Sequence, residues 1–208
     1  MKLLLLIAIT LPAVCAEVPR IFYSKSFPGS KPEYVEITVD RSGNMEYREA
    51  PKEEDPLTAK LSEAEAKQMW DLAAKLEWFR KPLESGLKVA RMGDKTLRME
   101  NFEHKGETKF NYTQNEDGQL LHDWFEKISE TAMHRMSIER SVRFDRLGIN
   151  QAILLFESSL DRKRIVAADQ FLPMLDRIAK NDGFLHMARD RAANLADTIR
   201  GASKAKSE

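Results

Sequence analysis

The chain has 208 residues, with 33 Lys and Arg against 33 Asp and Glu, and its single cysteine is at position 15. One cysteine excludes an intramolecular disulfide and a multi-thiolate metal site. The basic residues are interspersed with acidic ones and carry no aromatic stacking series, so we expect no nucleic acid as a partner.

The first 16 residues predict a secretory signal peptide. Lys2 supplies a positive charge, and an apolar run over residues 3–11 follows it. Val14 and Ala16 put small residues at the −3 and −1 positions of a cut before Glu17. The apolar run is about half of the roughly 20 residues that a bilayer-spanning helix needs, so no membrane span is predicted.

A bacterial lipoprotein acylated at Cys15 is the competing interpretation of the same segment. The lipoprotein pathway prefers Leu at −3 and Gly or Ala at −1 relative to the cysteine, and this chain has Pro12 and Val14 there. We therefore expect cleavage after Ala16 and a secreted or periplasmic protein. After that cleavage the chain has no cysteine, which also excludes a cysteine nucleophile.

Charge and pattern divide the rest of the chain into two parts. Residues 17–130 hold 18 basic and 23 acidic side chains, a net of −5, and residues 131–208 hold 14 and 10, a net of +4. We predict an α+β sheet domain over 17–130, an all-helical extension over 131–201 that docks on it, and a disordered tail over 202–208.

The sheet domain opens with three predicted strands. Residues 20–27 are rich in aromatic and β-branched side chains, and residues 35–40 alternate between apolar and polar. A turn at 41–44 leads to a third strand over 45–48, which is typical of a hairpin. Residues 50–60 contain two prolines and the acidic run 53–55, and we expect a solvated loop there and not a calcium site.

A helix, three more strands and a second helix follow. Ser62 and Glu65 form a capping box before an apolar stripe that includes Trp70. Strands are predicted over 87–92 and 96–102, joined at Gly93-Asp94, and over 108–112. A second helix is predicted from Gln119, and Trp124 lies on its apolar face. This order favours one antiparallel sheet with two helices packed on one side.

In the extension the strand pattern disappears. The apolar phase drifts over residues 134–140, so the second helix is expected to end or bend there. Helices are then predicted over 149–160, over 169–180 with Pro173 in the first turn, and over 184–200 with Gly201 as the residue that ends the last one. Short helices with short loops form an antiparallel array.

Residues 27–47 (FPGSKPEYVEITVDRSGNMEY) resemble the opening hairpin of small exported bacterial domains of unknown function. In that family a P-G-x-x-P-x-Y segment leads into a strand, a D-x-x-G turn and an aromatic-bearing strand, and a Leu-Ser-capped helix follows, here at Leu61-Ser62. The resemblance covers residues 20–130 and implies a bacterial, exported α+β domain. The family has no assigned activity, so no functional residue is transferred.

Candidate chemistry is sparse. The closest constellation is His122, Glu126, Glu130 and His134, spaced by four on a predicted helix. Each step of four drifts by about 40°, so the four side chains should not converge on one ion, and a solvent-facing polar stripe is expected. No serine-nucleophile elbow, zinc-protease motif, phosphate-binding loop or dinucleotide-binding glycine series is present. The sequence therefore predicts no catalytic, cofactor-binding or metal-binding residues.

These observations favour a non-catalytic interaction or envelope-associated module with an unidentified protein or envelope partner. One alternative is a hydrolase-type enzyme with a site assembled from scattered carboxylates and histidines. The other is a small apolar-ligand carrier with a pocket formed by Trp70, Trp78 and Trp124.

Overall fold

The computed structural model describes residues 18–207. Over these residues the chain forms a six-stranded antiparallel sheet and a helical C-terminal region, which confirms the predicted α+β class. The strands are β1 (Arg20–Ser26), β2 (Tyr34–Asp40), β3 (Asn44–Arg48), β4 (Leu57–Lys60), β5 (Asp94–Glu100) and β6 (Glu107–Phe110). The helices are α1 (Glu63–Lys75), α2 (Glu116–Phe144), α3 (Ile149–Asp161), α4 (Leu172–Ala179) and α5 (His186–Ser207).

The predicted signal peptide lies outside the described residues. Within residues 18–207, no helix combines the length and the apolar character that crossing a membrane requires.

The sheet has one apolar face because its strands alternate. Its strands lie in the order β4-β3-β2-β1-β5-β6. Tyr23 on β1 is aligned with Ile37 on β2 and Leu97 on β5, and all three are fully buried. Together with α1 and the first half of α2, these side chains form the sheet-domain core. The opposite face carries the alternate, polar residues of the same strands.

Helix α1 begins as its capping box predicts. The Ser62 hydroxyl accepts a hydrogen bond from the backbone N–H of Glu65, and the Glu65 carboxylate accepts one from the backbone N–H of Ser62 at 2.8 Å. Met69 and Trp70 are buried on its inner face. The predicted N-terminus and apolar stripe of this helix are therefore confirmed.

Two predictions about strands were wrong. Residues 57–60, expected in a loop, form β4 and pair with β3. Residues 87–92, expected in a strand, are irregular, and Leu87 and Val89 are 50% and 40% exposed. The Asn111 side chain accepts a hydrogen bond from the backbone N–H of Met92 and donates one to the carbonyl of Ala90, so a side chain replaces the sheet partner of this segment.

Helix α2 is longer than the sequence predicts. Its cap is Asn115, whose side chain accepts a hydrogen bond from the backbone N–H of Gly118 at 2.9 Å. The helix continues through residues 134–140, where an end or bend was expected. Its first half buries Phe125 and Ile128 in the sheet-domain core, and its second half buries Ile138 in a separate helical core. The apolar phase drifts because the helix changes the neighbours that it packs against.

The extension has its own core, formed by the end of α2 with α3, α4 and α5. Pro173 lies in the first turn of α4, as predicted. The expected end of α5 at Gly201 is wrong, and residues 202–207, predicted as a disordered tail, continue the helix. Gly201 does not adopt the left-handed conformation that would end a helix.

The segment between α3 and α4 joins the two cores. Val166 is 2% exposed and belongs to the sheet-domain core, and its backbone N–H donates to the Thr131 hydroxyl at 3.1 Å. The Arg135 guanidinium on α2 donates to the carbonyl of Thr58 on β4 at 2.8 Å. The boundary predicted at residue 130/131 therefore falls inside a continuous helix, and the extension contacts the sheet domain.

Candidate functional site

The predicted stripe His122, Glu126, Glu130 and His134 separates into two pairs with different neighbours. The first pair faces the sheet and the second faces α3. Both pairs are partly buried, so the expected solvent-facing stripe is wrong. No group of three or more potential metal-ligating side chains occurs within residues 18–207.

The first pair joins a polar cluster at the end of the inner sheet face. The Tyr23 hydroxyl lies 3.3 Å from His122 Nδ1 and 3.5 Å from Glu126 Oε1. Lys25 Nζ donates to the same Glu126 oxygen at 3.0 Å. Burial lowers the pKa of His122 to about 4 although Glu126 opposes the shift, so the imidazole is neutral near pH 7. Burial, followed by the Glu126 charge, raises the pKa of Tyr23.

Lys95 borders this cluster and is only 3% exposed. Its ammonium donates to the carbonyl of Asn111 at 2.7 Å and to those of Met92 and Gly93 at 3.3 Å. Burial lowers the pKa of Lys95. Three carbonyls account for its three N–H donors, so this lysine stabilises the irregular segment before β5 and is not presented as a nucleophile.

The second pair forms a network between α2 and the region that follows it. The Ser159 hydroxyl, in a residue that is 2% exposed, donates to Glu130 Oε1 at 2.7 Å and lies 2.9 Å from His134 Nε2. Arg164 Nε donates to the other Glu130 oxygen at 2.9 Å. Although burial opposes the shift, these hydrogen bonds lower the pKa of Glu130. Here the serine proton points to a carboxylate and not to the histidine, which differs from a nucleophilic triad. The network joins α2 to α3 and to the segment that follows α3.

A third constellation is an aromatic cluster formed by Trp70, Trp78 and Phe102. The Trp78 and Phe102 ring centroids are 4.9 Å apart, and Trp70 is 6.2 Å from each. The Arg41 guanidinium lies 4.8 Å from the Trp70 centroid and 5.8 Å from that of Phe102. The third ring beside Trp70 and Trp78 is Phe102, whereas the predicted pocket has Trp124 in that place. Trp124 is partly buried on α2, with Lys127 Nζ at 5.2 Å from its ring.

Unusual backbone positions Trp78 in this cluster. Glu77, Trp78 and Phe79 have φ angles of 52°, 58° and 65°, a left-handed run without glycine. Such residues cost roughly 1–3 kcal/mol each and persist only where the surroundings hold them. Phe79 is fully buried, and Gly106 of the β5–β6 turn packs so closely that a Cβ there would lie 1.9 Å from the Trp78 carbonyl oxygen. The strained backbone of residues 77–79 is therefore held in place by its packing, and it presents Trp78 to the aromatic cluster.

Two further features mark the cluster as a candidate site. Trp70 is 6% exposed, and its indole N–H has no hydrogen-bond partner among the described residues. Arg41 is exposed, and within residues 18–207 no hydrogen bond or ion pair engages its guanidinium. The contact with the two rings positions the guanidinium and leaves its N–H donors available.

An open groove of about 500 Å³ adjoins the cluster at Phe102. Its charged lining is Arg20, Arg98, Lys105 and Glu100, so cations are in excess. Glu100 pairs with Arg98 at 2.6 Å and with Arg20 at 3.5 Å. The Nε of Arg20 is buried without a hydrogen-bond partner among the described residues. This combination favours an anionic ligand.

A second open depression, of about 530 Å³, lies on the outer face of the sheet and shares Arg20, Arg98 and Glu100 with the groove. Unlike the groove, this depression has no excess of positive charge, because four basic and four acidic side chains line it. Arg48, for example, pairs with Glu46 at 2.8 Å and with Glu36 at 3.5 Å. Since these charges neutralise one another, the groove beside Phe102 is the better candidate for recognition of a charged group.

Comparison with known proteins does not add to this geometry. No family model matches the chain, and no curated protein matches it. The resemblance carried by residues 27–47 and Leu61-Ser62 remains a prediction, and the site is assigned from its side chains alone.

Proposed function

We propose that this chain is a non-catalytic binding module of the cell envelope or extracellular space. Its ligand carries a carboxylate or phosphate beside a planar apolar group and binds along Phe102, between Arg41 and the cationic groove. The observation that carries the proposal is the stacked, otherwise unengaged guanidinium of Arg41 next to a groove with excess positive charge.

The charges around Phe102 have different roles. The Arg98 guanidinium lies 3.8 Å from the Phe22 centroid and is committed to Glu100. Arg41 and Lys105 are exposed and have no ion-pair partner among the described residues. A planar guanidinium that is already oriented pairs well with a carboxylate or phosphate, because little rotamer freedom is lost on binding. The exposed parts of Trp78 and Phe102 supply the surface for the apolar group.

The binding proposal is tested by titration with phenyl phosphate, benzyl alcohol and benzyltrimethylammonium, followed by amide NMR shifts. We expect only phenyl phosphate to shift Phe102 and Lys105, and Arg41→Gln to weaken it about tenfold, the loss of one charge-assisted contact. Lys88→Gln removes an exposed lysine in the segment before β5 and serves as the matched control. Equal shifts with the ammonium probe, or an unchanged affinity in Arg41→Gln, would contradict the proposal.

Export is part of the proposal and has its own test. The intact mass of the exported protein should correspond to a chain that begins at Glu17. If the N-terminal residue is instead a lipid-modified Cys15, the protein is anchored by a lipid and the predicted cleavage after Ala16 is wrong.

One observation favours an enzyme as the second candidate. The neutral His122 imidazole lies 3.3 Å from the Tyr23 hydroxyl and beside Glu126, a geometry in which it can accept a proton, although a pKa of about 4 makes it a weak base near pH 7. However, neither of the two depressions described above includes any of these side chains. We therefore place binding before catalysis.

A further inference from the structure

Two large apolar side chains protrude at the corner between α2 and α3. Phe144 is 81% exposed and Leu147 is 78% exposed, the highest values among the exposed large hydrophobic residues of the described chain. Single exposed apolar residues are ordinary, but two such residues three positions apart at a helix corner form a local apolar tip.

The start of α5 lies at the same end of the extension. Arg146 Nη1 lies 3.3 Å from the position that a Cβ would take at Gly183. Leu185 and Met187 follow directly and are 49% and 63% exposed. We call these four apolar residues, Phe144, Leu147, Leu185 and Met187, the distal corner.

Basic residues flank the distal corner. Arg140, Arg143 and Arg146 are exposed, and within residues 18–207 none of them forms an ion pair or a side-chain hydrogen bond. Two carboxylates lie close by, Asp145 with its charge unpaired among the described residues and Asp182 in an ion pair, so the three arginines leave the corner with an excess of positive charge. Asp145 accepts a hydrogen bond from the backbone N–H of Gly148, and Asp182 pairs with Arg189 at 2.7 Å.

We propose that the distal corner docks on an anionic lipid membrane surface. Phe144 and Leu147 enter the boundary between headgroups and acyl chains, and the three arginines contact lipid phosphates. Long basic side chains suit this boundary because their stems lie along apolar surface while their charges stay with the headgroups. Charge complementarity selects this occupant over a second copy of the chain, since two arginine-rich corners would repel each other.

Membrane docking at the distal corner is independent of ligand binding at Phe102. The ligand site lies on the sheet domain, whereas the distal corner lies where α2 ends and α5 begins.

The test is sedimentation of the full mature chain with vesicles of phosphatidylglycerol and phosphatidylcholine in about equal amounts, or of phosphatidylcholine alone. We expect binding to the anionic vesicles at low salt and weaker binding at high salt. The double variant Phe144→Ser/Leu147→Ser should lower the partition coefficient about tenfold or more. The triple variant Arg140→Gln/Arg143→Gln/Arg146→Gln should lose both the binding and its salt dependence.

The matched control is Leu87→Ser/Leu120→Ser, which removes two leucines of the sheet domain that are 50% and 55% exposed. It should bind anionic vesicles as the unchanged protein does. Since all substituted side chains are exposed, thermal melting should confirm that each variant is folded. Three outcomes would overturn the proposal: no binding of the unchanged protein to anionic vesicles at low salt, equal binding of the Phe144→Ser/Leu147→Ser variant, or a dimer in solution that depends on Phe144.

Discussion

Lys95 is a buried charged residue whose ammonium group is satisfied by backbone carbonyls. It occupies an inner-face position of β5, directly opposite Lys25 on β1, where two like charges would repel. The two ammonium groups have separate partners, because Lys25 pairs with Glu126 and Lys95 donates to three carbonyls. The position therefore depends on the irregular backbone before β5.

Replacement of Lys95 should expose that dependence. Lys95→Met keeps the apolar stem but leaves the carbonyl of Asn111 without its donor, so we expect a loss of about 2 kcal/mol in the free energy of unfolding. Urea denaturation measures it. Lys109→Met, at an exposed position on β6, should change stability by less than about 0.5 kcal/mol. Equal effects of the two substitutions would show that the carbonyl contacts contribute nothing.

His122 makes stability depend on pH. Burial lowers its pKa to about 4 in the folded protein, against about 6.5 in an unfolded chain. The unfolded chain then binds more protons between these values, so stability is fully present above pH 6.5 and is lost as pH falls toward 4, by at most about 3 kcal/mol. In His122→Asn, the urea midpoint should vary less with pH over this range. The variation that remains comes from His134, whose pKa burial also lowers, and near pH 4 from Glu130 and Asp123, whose pKa values, although burial opposes the shift, are lowered by their hydrogen bonds.

His104→Asn makes the same substitution at an exposed histidine and provides the control for the change of side chain. If His122→Asn and the unchanged protein lose stability in parallel between pH 6.5 and pH 4, then His122 is not the group that titrates.

The elements that the sequence predicts are those whose signals are local. The capping box at Ser62 and the hairpin turn at 41–44 involve residues a few positions apart, and both are present in the structure. β4 is four residues long and is defined by its pairing with β3, so its own pattern is too short to show it. Residues 87–92 have a strand-like pattern but are bonded to the side chain of Asn111.

The candidate site could be predicted only in part for the same reason. Trp70 and Trp78 belong, with Trp124, to the pocket of the alternative carrier prediction. Phe102 and Arg41 join the first two through the packing of two turns that are far apart in the chain. Arg20 and Arg98 are polar residues of alternating strands, and their positions at one groove follow from the register of β1 with β5. Sequence alone does not give that register.

Helix α2 offers a test at the scale of an element. Ser137 is exposed in the middle of the segment where the apolar phase drifts, between the parts of the helix that enter the two cores. Ser137→Pro should cost about 3 kcal/mol or more if the helix is continuous there, whereas Ser137→Ala should raise stability slightly. Urea denaturation followed by circular dichroism measures both. If Ser137→Pro left the free energy of unfolding unchanged, the helix would have to end before this residue.

At the scale of the whole molecule, two cores share one helix and one crossing segment. Arg164 joins Asp123 at 2.5 Å and Glu130 at 2.9 Å, and both carboxylates belong to α2. Two residues later, Val166 enters the core of the sheet domain. Partly exposed ion pairs contribute little after screening, so burial of Val166 should supply more of the coupling than the opposite net charges of the two halves.

We therefore expect the two cores to unfold together, as one cooperative transition in calorimetry with equal calorimetric and van't Hoff enthalpies. Val166→Asp places an unpaired carboxylate in the sheet-domain core and removes that side chain from the crossing segment, so the transition should separate into two, with the sheet domain melting first. The control is Leu155→Asp, because Leu155 lies on α3 with 51% of its surface exposed and belongs to neither core. This substitution introduces the same charge and should keep the single transition. Two transitions in the unchanged protein would show that α2 connects the cores without coupling their stability, and the extension would then be an independent domain.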